Sequence, residues 1–114
     1  MTVTVSTAAV AAEQHDQELA LLAKALGHPA RVRILRLLLA RDACYCGEIV
    51  DELPLAQATV SQHLKVLREA ALIVGRIEGL HTCYWADRDR LGELHELVGR
   101  LLAEAVEVDT DGCN

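Results

Sequence analysis

A chain of 114 residues with 52% hydrophobic and 25% charged residues can bury one modest core and is too short for two domains. It has a net charge of −6 and no Phe, so its core must come from Leu, Val, Ile and Ala. No apolar run approaches the roughly 18 residues that span a bilayer, which excludes a helical membrane protein.

In chain order, residues 1–12 are rich in Thr, Val, Ser and Ala and read as a disordered tail. They lack the charged start and long apolar centre of a secretory signal, so the expectation is a cytoplasmic protein. The folded domain is expected over 13–107. Its first helix runs from about His15 to Leu26, with Leu19, Leu22 and Leu26 on one face. Gly27 is placed to end that helix and Pro29 to open the next. The second helix covers about Ala30–Leu39. Val32, Ile34, Leu35, Leu38 and Leu39 make it apolar over much of its surface, and Arg31, Arg33 and Arg36 take the rest. A loop follows that carries Cys44-Tyr45-Cys46, and a short helix over Gly47–Leu53 stops at Pro54.

Gln57–Ala70 is the most informative stretch. Val60, Leu64 and Leu67 recur at helical spacing and must face a core, which leaves Gln57, Thr59, Ser61, Gln62, His63 and Lys65 largely outside. Amides and hydroxyls can read base edges in a DNA major groove, and an ammonium binds phosphate. A short helix, a turn and a polar helix make a helix-turn-helix arrangement. The period then changes. Val74–Glu78 and Thr82–Ala86 read as two strands of a hairpin turning at Gly79. A hairpin there forms a wing, with Arg76 and His81 its groups best suited to phosphate.

The acidic net charge opposes DNA binding, but its distribution does not. Residues 1–18 carry three acids and no base, and residues 87–114 carry eight acids and three bases. The centre, 19–86, carries six acids and eight bases. The central segment can face a polyanion, with a basic excess small enough to call for dimerisation. The last helix, about Arg88–Val106, carries a broad stripe from Leu91, Leu94, Leu97, Val98, Leu101, Leu102, Ala105 and Val106. Such a stripe suits packing on a copy of itself or on a partner's first helix. Residues 108–114 have no helical pattern and read as a flexible tail.

Three motifs together resemble one family. They are Leu26-Gly27-His28-Pro29-Ala30-Arg31-Val32-Arg33-Ile34-Leu35, Thr59-Val60-Ser61-Gln62-His63-Leu64-Lys65-Val66-Leu67, and the Gly79-Leu80-His81 wing that leads to Tyr84. They are similar to the ArsR/SmtB family of ligand-responsive repressors, over about residues 15–107. The resemblance implies a mainly α fold with a small β-hairpin: a homodimeric winged helix-turn-helix of five helices, paired through its first and last helices. It also implies an apo dimer that grips double-stranded operator DNA and an inducer that loosens the grip, with no enzymatic activity and no membrane partner. One inducer site of the family uses a Cys-x-Cys pair at the start of the short helix, where Cys44 and Cys46 stand. Another uses carboxylates and histidines on the last helix. Here Arg88, Arg90 and Leu101 occupy those places, only Glu104 is chemically suitable, and His95 is off the spacing. That departure speaks against an interfacial zinc or nickel site.

Without an export signal, Cys44, Cys46, Cys83 and Cys113 read as thiols and not as structural disulfides. In a regular helix, residues two apart point about 200° apart, so Cys44 and Cys46 converge only in a loop or frayed turn. Thiolates select soft ions. Trivalent arsenic or antimony wants three thiolates, and cadmium or lead accepts three or four. A third ligand is therefore needed, from Cys113 or Cys83, and the mobile tail favours Cys113. No organic cofactor is expected. Other readings remain at this point. One is a repressor or activator that senses Cd, Pb, Zn or Ni, and another is a thiol-based redox or sulfide sensor of the same fold. A third is a dimerisation module without DNA binding. A thiol enzyme is disfavoured by the absence of Cys-x-x-Cys.

Overall fold

The computed structural model describes residues 7–41 and 53–106. They form α1 (Thr7–Ala25), α2 (Pro29–Leu39), α3 (Gln57–Glu69), β1 (Ile73–Glu78), β2 (His81–Ala86) and α4 (Arg88–Val106). The architecture is mainly helical, with one two-stranded antiparallel hairpin between α3 and α4. The loop with Cys44 and Cys46, most of the short helix expected over Gly47–Leu53, and the tail with Cys113 lie outside the described residues.

Helix α1 begins at Thr7 and not near His15, so Thr7–Ala12 belong to a helix and not to a tail. The run Ala8-Ala9-Val10-Ala11-Ala12 has high intrinsic helix propensity but no leucine stripe, and periodicity alone does not see it. The other end follows the expected punctuation. The Gly27 amide donates to the Lys24 carbonyl at 3.0 Å, and a Cβ at Gly27 would stand 3.1 Å from that oxygen. His28 then caps α2, its Nδ1 accepting from the Ala30 amide at 3.0 Å, and Pro29 takes the first helical position.

The core lies where α1, α2, α3 and the hairpin meet. Leu22, Ile34, Leu38, Val60, Leu67, Leu72 and Ile73 are its best-covered side chains. On α2, Ile34, Leu35 and Leu38 point inward, while Val32 is partly exposed. Helix α3 ends in a tight turn in which the Leu72 amide donates to the Leu67 carbonyl and the Ala71 amide to the Arg68 carbonyl. This is a Schellman pattern, and Ala71 holds its left-handed position at φ 62°. Leu72, fully buried, follows as the apolar anchor.

The hairpin pairs Ile73 with Ala86 through to Glu78 with His81, one residue longer per strand than the sequence suggests. Gly79 has φ +62°, while Leu80 has no positive φ, which fits a type II′ two-residue turn. Asp87 opens α4, its carboxylate accepting from the Arg90 amide at 3.1 Å. Arg90 then bonds the Ala70 carbonyl at 3.0 Å and pairs with Glu18 and Glu93, so one guanidinium joins α1, the end of α3 and α4. Its acidic partners raise its pKa, Glu93 most, against the opposing effect of burial.

Candidate nucleic-acid interface

Helix α3 sorts its side chains sharply. Val60, Leu64 and Leu67 are buried, and Gln57, Thr59, Ser61, Gln62 and Lys65 are exposed. Arg68, which sequence reading did not single out, is exposed on the same helix. Ala56 precedes the helix without a side-chain cap, and its carbonyl accepts from the Thr59 amide at 3.0 Å and the Val60 amide at 3.1 Å. This surface can donate and accept hydrogen bonds and carries a positive charge, as a major-groove element requires.

His63 departs from the expectation. It is 8% exposed, on the inner face and not among the outward polar groups. The reason is position. At about 100° per residue, His63, Leu64 and Leu67 all fall within about 60° of Val60, so the imidazole stands in the apolar stripe. It packs at 4.4 Å, centroid to centroid, against the His28 ring, tilted by 47°. Its Nδ1 lies 3.3 Å from Nη1 of Arg31. Arg31 also donates from Nε to the Ala25 carbonyl at 2.6 Å and from Nη2 to the Lys24 carbonyl at 3.2 Å. Arg31 thus ties the end of α1 to the underside of α3, a role no periodicity reveals. Burial, and then the neighbouring His28 and Arg31, lower the pKa of His63 below its ordinary value.

On the wing, Arg76 is exposed, pairs with Glu78, and lies 5.6 Å from the Trp85 ring centroid. His81 opens β2 opposite Glu78. The tip is apolar: Leu80 is wholly exposed and Ile77 nearly so. Tyr84 covers Gly75, where an added Cβ would meet the ring at 3.1 Å. Cys83 is 3% exposed, and its thiol donates to Glu78 at 3.5 Å.

The described residues include no group of three or more His, Cys, Asp or Glu able to hold a metal ion. On α4, Arg88 donates to the Leu39 carbonyl at 2.8 Å and Arg90 joins three elements, so both arginines serve the scaffold. No helix among the described residues is long and apolar enough to cross a membrane.

Comparison with known proteins agrees with this geometry. A family described as a helix-turn-helix domain matches residues 26–76, from the turn after α1 into β1. The HTH-type transcriptional regulator CmtR of Mycobacterium tuberculosis is 41% identical over 100 residues, which cover 87% of this chain and 80% of the relative. The solved structure of an ArsR-like transcriptional regulator from Rhodococcus sp. RHA1 superposes with a TM-score of 0.68 at 26% identity, over 77% of this chain and 82% of that one. A solved possible transcriptional regulator for arsenical resistance gives 0.58 at 28% identity, over 75% and 83%.

Proposed function

This chain belongs to the ArsR/SmtB family of winged helix-turn-helix transcriptional regulators, and from that premise we propose that it is a homodimeric repressor released from its operator by trivalent arsenic or antimony. The observation that carries DNA binding is the outer face of α3. Its amide, hydroxyl and ammonium groups are exposed while Val60, Leu64 and Leu67 are buried beneath them, and the face has no partner within the described chain to satisfy it. The basic excess of residues 19–86 supports the same surface.

Pairing is supported by α4. Val98, Leu101 and Leu102 are exposed, and a groove of about 580 Å³ between α1 and α4 is lined by Leu19, Leu97 and Leu101. A second copy laid along this face would cover them and set two α3 helices at half-site spacing, about 34–36 Å apart on DNA.

The inducer reading rests on Cys44-Tyr45-Cys46, upstream of α3, and on the thiophilic chemistry of paired thiolates. The burial of Cys83 and its bond to Glu78 support Cys113, from either subunit, as the third thiolate. Ligation at Cys44 and Cys46 would pull on the segment leading into α3 and alter how the two α3 helices meet DNA. A tenfold loss of affinity needs only about 1.4 kcal/mol of difference between bound and free forms.

The test is fluorescence anisotropy on a duplex selected from random sequence, under anaerobic conditions. Arsenite should release the wild-type protein, and Cys44→Ser/Cys46→Ser protein should bind the duplex and stay bound. Release of the double variant by arsenite would overturn the assignment. Release of wild type by peroxide alone would replace the metalloid with an oxidant.

A further inference from the structure

The cluster beneath α3 has a chemical requirement that DNA binding alone does not explain. We propose that His28, Arg31 and His63 are positioning residues that seat α3 only while both imidazoles are neutral, so that mild acid loosens the helix and weakens DNA binding. The inference rests on the reading of α3 as the helix that contacts DNA.

The requirement follows from donor and acceptor identity. A backbone amide can only donate, so the Nδ1 of His28 that caps α2 through Ala30 must be unprotonated. A guanidinium can only donate, so the Nδ1 of His63 facing Arg31 at 3.3 Å must also accept. Each neutral ring then carries its proton on Nε2. Protonating Nδ1 of His28 removes the helix cap. Protonating Nδ1 of His63 removes its bond to Arg31 and sets two cations side by side in a covered place. Arg31 cannot yield its charge and is held by the Lys24 and Ala25 carbonyls, so the movable partner is α3. Gln62 on the outer face immediately precedes His63, and motion of the seat displaces it directly.

The surroundings offer little compensation. From α2 and its cap, the groups facing His63 are Arg31 and His28. From α1, Lys24 adds an exposed ammonium, and from α3 itself come exposed Lys65 and Glu69, the latter lining a groove with Arg31 and Lys24. Leu53–Ala56 carries no titratable side chain, and on β1 Arg76 and Glu78 pair with each other. Glu48, Asp51 and Glu52 lie outside the described residues. Burial beside these cations favours the neutral ring, consistent with the lowered His63 pKa.

The sign distinguishes this device from ordinary electrostatics. Acid makes an acidic protein less negative and should tighten its hold on DNA. The cluster predicts weakening. Binding to the selected duplex is measured from about pH 7.5 to about pH 5.5 for wild type and for His28→Asn/His63→Asn. Asn is a favoured helix cap, and its carboxamide oxygen can take the place of Nδ1. Wild type should lose affinity by about fivefold or more, whereas the double variant should match it at the higher pH and hold or gain affinity at the lower. Parallel behaviour of the two proteins would overturn the proposal. Imidazole nitrogen NMR of wild type gives an answer even if the variant does not fold. His63 should be the Nε2–H tautomer and titrate below about 6.5, and protonation on Nδ1 or a higher midpoint would also overturn it. Failure of wild type to bind DNA at any pH would refute the reading of α3, while the NMR result would still decide the state of the cluster.

Discussion

Helices α3 and α4 are both amphipathic, yet they are finished to different degrees. On α3, Val60, His63, Leu64 and Leu67 are buried, Val66 is half-buried against the core, and apart from Ala58 the exposed side chains are polar. On α4, Leu91, Leu94 and Leu97 are half-buried against the core, but Val98, Leu101 and Leu102 are exposed, Leu102 by 68%. The contrast separates two kinds of surface. The outer face of α3 is stable in water and can exchange water for a polar ligand. The far half of α4 leaves apolar area in water, which association with a second copy would remove.

Substitutions can break this contrast. The largest effect is expected at Leu67, fully buried under α3, where Leu67→Ala should cost about 2–5 kcal/mol of stability in denaturant unfolding. A cost near zero would mean that the seat of α3 is not packed as described. Next, Leu101→Glu/Leu102→Glu should leave the monomer folded, because both side chains are exposed, while weakening self-association by roughly 2–3 kcal/mol in sedimentation equilibrium. An unchanged dimer would move the pairing surface elsewhere. Smallest is Ala71→Gly. A non-glycine residue at φ 62° carries a cost of about 1 kcal/mol, so the glycine should raise thermal stability by about that amount. A fall in stability would show that Ala71 is not in the left-handed turn.

Much of this architecture was legible because the chain punctuates itself. Gly27 and Pro29 mark the α1–α2 corner, Gly79 marks the wing, and the leucine stripe gives α4 its observed bounds of Arg88–Val106. Three features were not legible, each for a physical reason. The start of α1 rests on alanine propensity, which leaves no stripe. His63 is buried by its angular position, while its residue type suggests a polar surface. The bonds of Arg31 to the Lys24 and Ala25 carbonyls depend on how α1 meets α2, which spacing along one helix does not encode. Of the expected site residues, Gln57, Thr59, Ser61, Gln62 and Lys65 share one exposed helix, Arg76 lies on the wing paired with Glu78, and Cys83 is enclosed.

DNA recognition by this chain depends on the outer face of α3, and DNA affinity measured against salt for wild type and for Gln62→Ala and Lys65→Ala probes that face. Wild type should bind its selected duplex with strong salt dependence. Gln62→Ala should lose about 1–3 kcal/mol on that duplex and little on unrelated DNA, and Lys65→Ala should weaken both and lower the salt slope by about 1. Wild-type affinity in both variants, or no binding of duplex DNA by wild type at low salt, would contradict it.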